Sequence, residues 1–244
     1  MHRGYRVGLL DTDLQTGGLR TLFGLDEAAT QDPQAYWWLS PSFETTKALK
    51  AELRRYTDPW ESAAAGIYLP PLGSHLAIAT DPLPGLLQHY QQDKPDEVLQ
   101  ALSADLALDF LLIDNQPEMT DENLIGLSLA DIILVLMQLD TYDLQRTAVL
   151  LEVINQLAVN KTWLVPSLVL PTIETSVVTH MLENTYQYPV AGILYLTEEM
   201  VSLASQGVFC LHYPDHALTQ TMMAIAHHIE QDAQAIAAAS ASST

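Results

Sequence analysis

Five stretches of this chain are apolar almost without interruption: YRVGLLD (5–11), DFLLID (109–114), DIILVLMQ (131–138), TWLVPSLVL (162–170) and VAGILYL (190–196). A strand with one wet face alternates apolar and polar residues, whereas a strand covered on both faces has no need to. After the last four come DENLIGLSLA (121–130), YDLQRTAVLLEVINQLA (142–158), IETSVVTHMLENTY (173–186) and TEEMVSLASQG (197–207), with apolar residues three and four apart, as on an amphipathic helix. Gly207 reads as the C-cap of the last of these. Strand then helix, four times over, predicts an α/β fold: three layers, a mostly parallel twisted sheet with helices on both faces. Residues 26–95 are less regular, because Pro33, Pro41, Pro59, Pro70, Pro71, Pro82 and Pro84 break them into short elements. Residues 1–232 read as a single α/β domain and 233–244, AQAIAAASASST, as a low-complexity tail.

In open α/β sheets ligands bind at the carboxyl ends of the strands, and acids collect there in this sequence. Asp11 ends the first apolar run, with Asp13 two residues on; Asp114 ends DFLLID; Asp140 follows DIILVLMQ. Carboxylates from two strands can converge on a hard cation such as Mg²⁺, with one of them orienting an attacking water. Taken singly, an Asp after an apolar strand also serves as a turn residue or as the N-cap of the next helix. His212, His216 and the pair His227–His228 are metal-ligand types. Adjacent residues on a helix point to different faces, however, which favours packing or solvated roles for the pair. The aromatic run YWWLSPSF (36–43) reads as core or as a partner surface.

Composition narrows the partners. With 30 acidic and 10 basic residues the net charge is −20, and eight of the ten Lys and Arg lie at or before Lys94. Nucleic-acid affinity rests on Lys and Arg neutralising phosphates, and peripheral membrane attachment on basic patches, so direct binding to either is disfavoured. The single cysteine, Cys210, has no partner for an internal disulfide, and no run approaches the length of a membrane span. The opening residues MHRGYRV carry no apolar leader, and the expected location is the cytoplasm.

Three segments, in order, resemble the ParA/MinD-type deviant-Walker P-loop ATPases. RGYRVGLLDTDLQTGGLRTLFGL (3–25) is similar to the family text G-x-x-V-L-L-I-D-x-D-x-Q-x-x-L-x-x-x-L-G. The run from Asp109 to Ile154 is similar to the Walker B strand D-Y-x-x-I-D-x-P-P and the A-D-x-V-L segment after it, and residues 188–229 resemble the closing strand and final helix. The resemblance implies a P-loop NTPase-like fold of the SIMIBI type, ATP and Mg²⁺ as cofactors, and a homodimer that acts with a stimulating or cargo-adaptor protein. The implied function is the intracellular positioning or partitioning of a cargo. By the same resemblance Asp11 holds Mg²⁺ through water, Asp114 is the Walker B acid at the metal, and Asp13 orients the hydrolytic water. Ser167, Leu196 and Thr197 take cofactor-binding places, with Ser167 standing where the family has an adenine-reading Asn and Gln116 where it has the first Pro after Walker B.

One departure is larger. The family's K-G-G-x-G-K-S/T-S/T phosphate loop has no counterpart in the 244 residues; TGGLRTLF (16–23) is glycine-rich but lacks the lysine. The chain is accordingly expected to be an N-terminally truncated ATPase, inactive as written and able to hydrolyse ATP once the loop is restored. The alternative is a degenerate, non-catalytic interaction module that keeps the fold.

Overall fold

The computed structural model describes residues 4–11, 22, 54–56, 66–69, 100, 103–104, 107–116, 121–157 and 159–242. It divides into two compact units, Met1–Gly126 and Leu127–Thr244.

The first unit holds a four-stranded sheet of β1 (Arg6–Asp11), β2 (Arg54–Tyr56), β3 (Gly66–Leu69) and β4 (Phe110–Asp114). The order is β2-β3-β1-β4. β1 runs parallel to both β3 and β4, while the short β2 is antiparallel to β3. Two of the uninterrupted apolar runs therefore become neighbouring parallel strands, as their patterning predicts. Their register is pinned where they start. The amide of Arg6 donates to Oδ2 of Asp109 at 2.7 Å, the amide of Asp109 donates to the carbonyl of Arg6 at 2.9 Å, and Tyr5 meets Phe110 edge to face at 5.2 Å. Helix α1 (Asp121–Leu129) follows β4.

The second unit is a three-stranded parallel sheet, β5 (Ile132–Met137), β6 (Lys161–Val169) and β7 (Leu194–Tyr195), in that order. Helix α2 (Thr141–Ile154) joins β5 to β6, and α3 (Thr175–Tyr186) joins β6 to β7. Crossovers that step in one direction along a parallel sheet share a face; a bond from the Tyr186 hydroxyl to the carbonyl of Leu144, 2.7 Å, ties these two helices together. The short α4 (Glu198–Leu203) and α5 (Phe209–His212) lead into α6 (Ala217–Ser242). Alternation puts Ile133, Val135 and Met137 on one face beside their partners Thr162, Leu164 and Pro166, and all six are buried. On the other face Val165, Ala191 and Ile225 form a cluster to which Leu134, Trp163, Leu194 and Ile229 add, so α6 seals that side. A polar latch fixes the helix there: the Trp163 indole donates to Oδ2 of Asp232 at 2.6 Å, with Lys161 4.6 Å from the ring centre and His228 5.0 Å from it.

One local reading needs correcting. Gly207 does not cap α4, which stops at Leu203 with Ala204 in the left-handed conformation as its cap; the helix ends before its apolar pattern does. Residues 233–242 continue α6 to Ser242, in keeping with alanine's position at the top of the helix-propensity scale.

β6 carries the one irregular ladder described in this sheet. Leu164 bonds Pro189 and Ala191 on the β7 side, but the next β7 partners are Leu194 for Ser167 and Tyr195 for Val169, so Leu168 is an extra residue. Pro166 shares Leu164's side by alternation, and its missing N–H falls where this ladder is interrupted. Leu168 sits at φ +54°, a region costly for a residue with a Cβ, and its side chain is 43% exposed. Leu168→Gly should therefore be neutral or stabilising in urea unfolding, whereas Leu168→Val, β-branched in the same conformation, should cost about 1–2 kcal/mol. Equal losses in the two variants would mean the side chain, not the backbone, matters here.

Candidate functional site

The ladder that begins at Arg6 and Asp109 runs Val7 to Phe110, Gly8 to Leu111, Leu9 to Leu112 and Leu10 to Ile113, and ends on Asp11 opposite Asp114. Parallel strands present their carboxyl ends at one edge, so both acid-bearing positions reach that edge together, one strand spacing of about 4.8 Å between them. Asp114 is exposed there. A pair of carboxylate positions at a strand edge suits a hard, oxygen-preferring cation that keeps much of its water. Asp13 lies outside the described residues, as do the aromatic run 36–43 and nearly all of 16–23.

The second unit holds the other predicted positions, and local structure already uses their polar groups. The Ser167 hydroxyl donates to the carbonyl of Met137 at 3.3 Å, joining β6 to the end of β5. The amide of Leu196 donates to the carbonyl of Val169 at 2.9 Å and prolongs the β6–β7 pairing. Thr197 is the N-cap of α4, its Oγ1 accepting from the amide of Met200 at 3.1 Å. Each of these groups therefore already makes one bond within the fold. Asp140 is likewise a cap. Its Oδ1 accepts from the amides of Tyr142 and Asp143, both at 3.0 Å, at the start of α2. Sequence reasoning missed Tyr195, whose hydroxyl meets Thr175 Oγ1 at 2.7 Å and donates to the carbonyl of Ile173 at 3.2 Å, bracing the end of β7 against the start of α3. A tyrosine next to the end of an apolar run gives no local sign of such a bond.

The remaining chemistry-bearing residues have structural partners. His227 faces Glu230 at 3.2 Å while its neighbour His228 turns to Trp163. Nδ1 of His216 accepts from the amide of Leu218 at the start of α6. Among the described residues no group of three His, Cys, Asp or Glu is placed to hold a metal, and no helix is long and apolar enough to cross a membrane. The Cys210 thiol lies 3.2 Å from the sulfur of Met222. Burial pushes it above its ordinary pKa, with a hydrogen bond to Thr219 pulling the other way.

No family model matches the chain, and no curated protein matches it. Solved structures do. The MinC:MinD cell division protein complex of Aquifex aeolicus superposes with a TM-score of 0.67 at 12% identity, over 94% of this chain and 85% of that one. The septum site-determining protein MinD of Pyrococcus horikoshii OT3, complexed with Mg-ADP, gives 0.63 at 15%, over 93% and 84%. A ParA family ATPase from Chlorobium tepidum TLS gives 0.60 at 13%, over 89% and 83%. The chain therefore has the ParA/MinD-type fold, an α/β fold of the P-loop NTPase kind.

Two expectations separate structural groups from functional ones. Asp140→Ala should lower stability by about 1 kcal/mol through loss of the cap and leave divalent-cation binding unchanged; a weakened cation in a titration would move Asp140 into the site. Cys210 should react with iodoacetamide more slowly than free cysteine at neutral pH and faster as the pH rises, because only the thiolate attacks. Rapid neutral-pH alkylation would contradict the raised value.

Proposed function

We propose, with the ParA/MinD-type fold as the premise, that this chain is a ParA/MinD-like protein of intracellular positioning or partitioning, in which Asp11 and Asp114 hold a nucleotide's Mg²⁺. The observation that carries the reading is the register of β1 and β4, which sets these two acids as partners at the carboxyl ends of adjacent parallel strands. Oxygen donors at that edge fit Mg²⁺. Bound there, the metal would supply positive charge against nucleotide phosphates. Asp13 is proposed to orient the attacking water, and the chain to work as a homodimer with a stimulating or adaptor protein. The match to a MinC:MinD complex and the Mg-ADP in the Pyrococcus protein lend support.

The phosphate side is weaker. A triphosphate needs several backbone N–H groups and a lysine around it, and the 244 residues contain no glycine loop with that lysine. On the base side Ser167, Leu196 and Thr197 already bond within the fold. As the chain stands it is proposed to bind a divalent cation through its acids, to hold ATP weakly and to turn none over. The absent loop motif also favours a second reading, a non-catalytic module that keeps the fold and a partner surface.

Calorimetry and Mn²⁺ titration of the chain test this together. Mn²⁺ should bind, and Asp114→Asn or Asp11→Asn should weaken it by about tenfold or more, some 1.4 kcal/mol; MgATP should bind no tighter than about 100 μM, or ~5.5 kcal/mol. Low-micromolar MgATP binding abolished by Asp11→Asn would instead establish a nucleotide-holding enzyme. Metal binding indifferent to both acids would leave only the interaction module.

A further inference from the structure

The residue after Asp114 is held in a way that the acids' own chemistry does not explain. Asn115 is half-buried, and its carboxamide occupies the space beside Gly126 of α1. A Cβ placed on Gly126 would lie 2.5 Å from Oδ1, 2.9 Å from Nδ2 and 3.1 Å from Cγ of Asn115. Carbon does not approach other heavy atoms that closely, so any residue but glycine at 126 must displace the carboxamide. Nδ2 also donates to the carbonyl of Asn123 at 3.4 Å, and Asn123 is only 3% exposed. Positions 123 and 126 are three apart and so lie on one side of the helix. Asn115 is thus docked in a notch cut into α1.

The docking bears on Asp114 because Asn115 is the next residue of the chain, so a seated Asn115 fixes the backbone on that side of the acid. On its N-terminal side the ladder to β1 fixes the backbone, ending at the Asp11–Asp114 pair. On its C-terminal side the strand is over, and the next fixed point is the docked carboxamide.

We propose that Asn115 is a positioning residue: seated in the Gly126 notch, it fixes the chain that carries Asp114 and so presets that carboxylate for a divalent cation. The inference rests on the metal-binding reading above. Ordering one residue's backbone before the ligand arrives, rather than on its arrival, is worth about 5- to 30-fold in affinity.

The test uses the 244-residue chain, with Mn²⁺ as the probe followed by electron paramagnetic resonance, and urea unfolding in parallel. Asn115→Ala should weaken Mn²⁺ binding about 5- to 30-fold. Gly126→Ala should lower both stability and affinity, since its methyl group expels the carboxamide. The double variant Asn115→Ala/Gly126→Ala removes the clash, so stability should return while affinity stays low. A purely structural role predicts that affinity returns with stability, and that result would overturn the proposal. So would Mn²⁺ binding that survives Asn115→Ala while Asp114→Asn abolishes it. Failure of the unaltered chain to bind Mn²⁺ would remove the metal reading, and this inference with it.

Discussion

The reciprocal bonds between Arg6 and Asp109 decide where β1 and β4 end. A side-chain carboxylate takes the amide of Arg6 at 2.7 Å while the carbonyl of Arg6 takes the amide of Asp109 at 2.9 Å, and the ladder then counts five pairs to Asp11 and Asp114. Slippage by one residue would set Asp11 against Ile113 or Asn115 and turn every side chain of one strand to the opposite face. Near-continuous apolar strands specify register poorly, since either face is acceptable to the core. A polar clamp at the entry, with Tyr5 against Phe110 beside it, supplies the discrimination that the apolar residues lack.

The second unit solves a related problem with a helix. β5 and β6 bury one face beneath the crossover helices, and the other face is closed by α6 through Ile225 and Ile229. Apolar contact alone lets a helix slide along a sheet, because the hydrophobic effect has no direction. The Trp163–Asp232 bond joins residues 69 apart in sequence and gives the packing a fixed point. The left-handed Leu168 and the interrupted ladder at Pro166 lie at the far end of the same strand, which leaves the strand's start regular for the latch.

The acids show how one pattern yields different roles. Asp114 and Asp140 both follow apolar strands. Asp140 is followed at once by a helix, whose exposed amides at Tyr142 and Asp143 it satisfies. Asp114 is followed by Asn115 and Gln116, and α1 starts only at Asp121. What becomes of a strand-end aspartate depends on how far away the next helix begins, a distance of a few residues that periodicity does not locate.

The amino-acid sequence by itself determined the kinds of element and their order: apolar runs without alternation became parallel strands, and the four helix-period segments became helices. Both are consequences of local periodicity, which needs no partner. The placement of Asp11 and Asp114 at strand ends was legible for the same reason, and the resemblance of their segments anticipated the ParA/MinD-type fold. Tertiary structure alone decided the register that pairs them, the docking of Asn115 against Gly126, the latch between Trp163 and Asp232, and the commitment of Ser167 to a bond with the end of β5. Each depends on segments distant in sequence meeting at a given spacing. A lone Asn, Gly or Trp reads the same whether or not its partner, eleven or 69 residues on, arrives beside it.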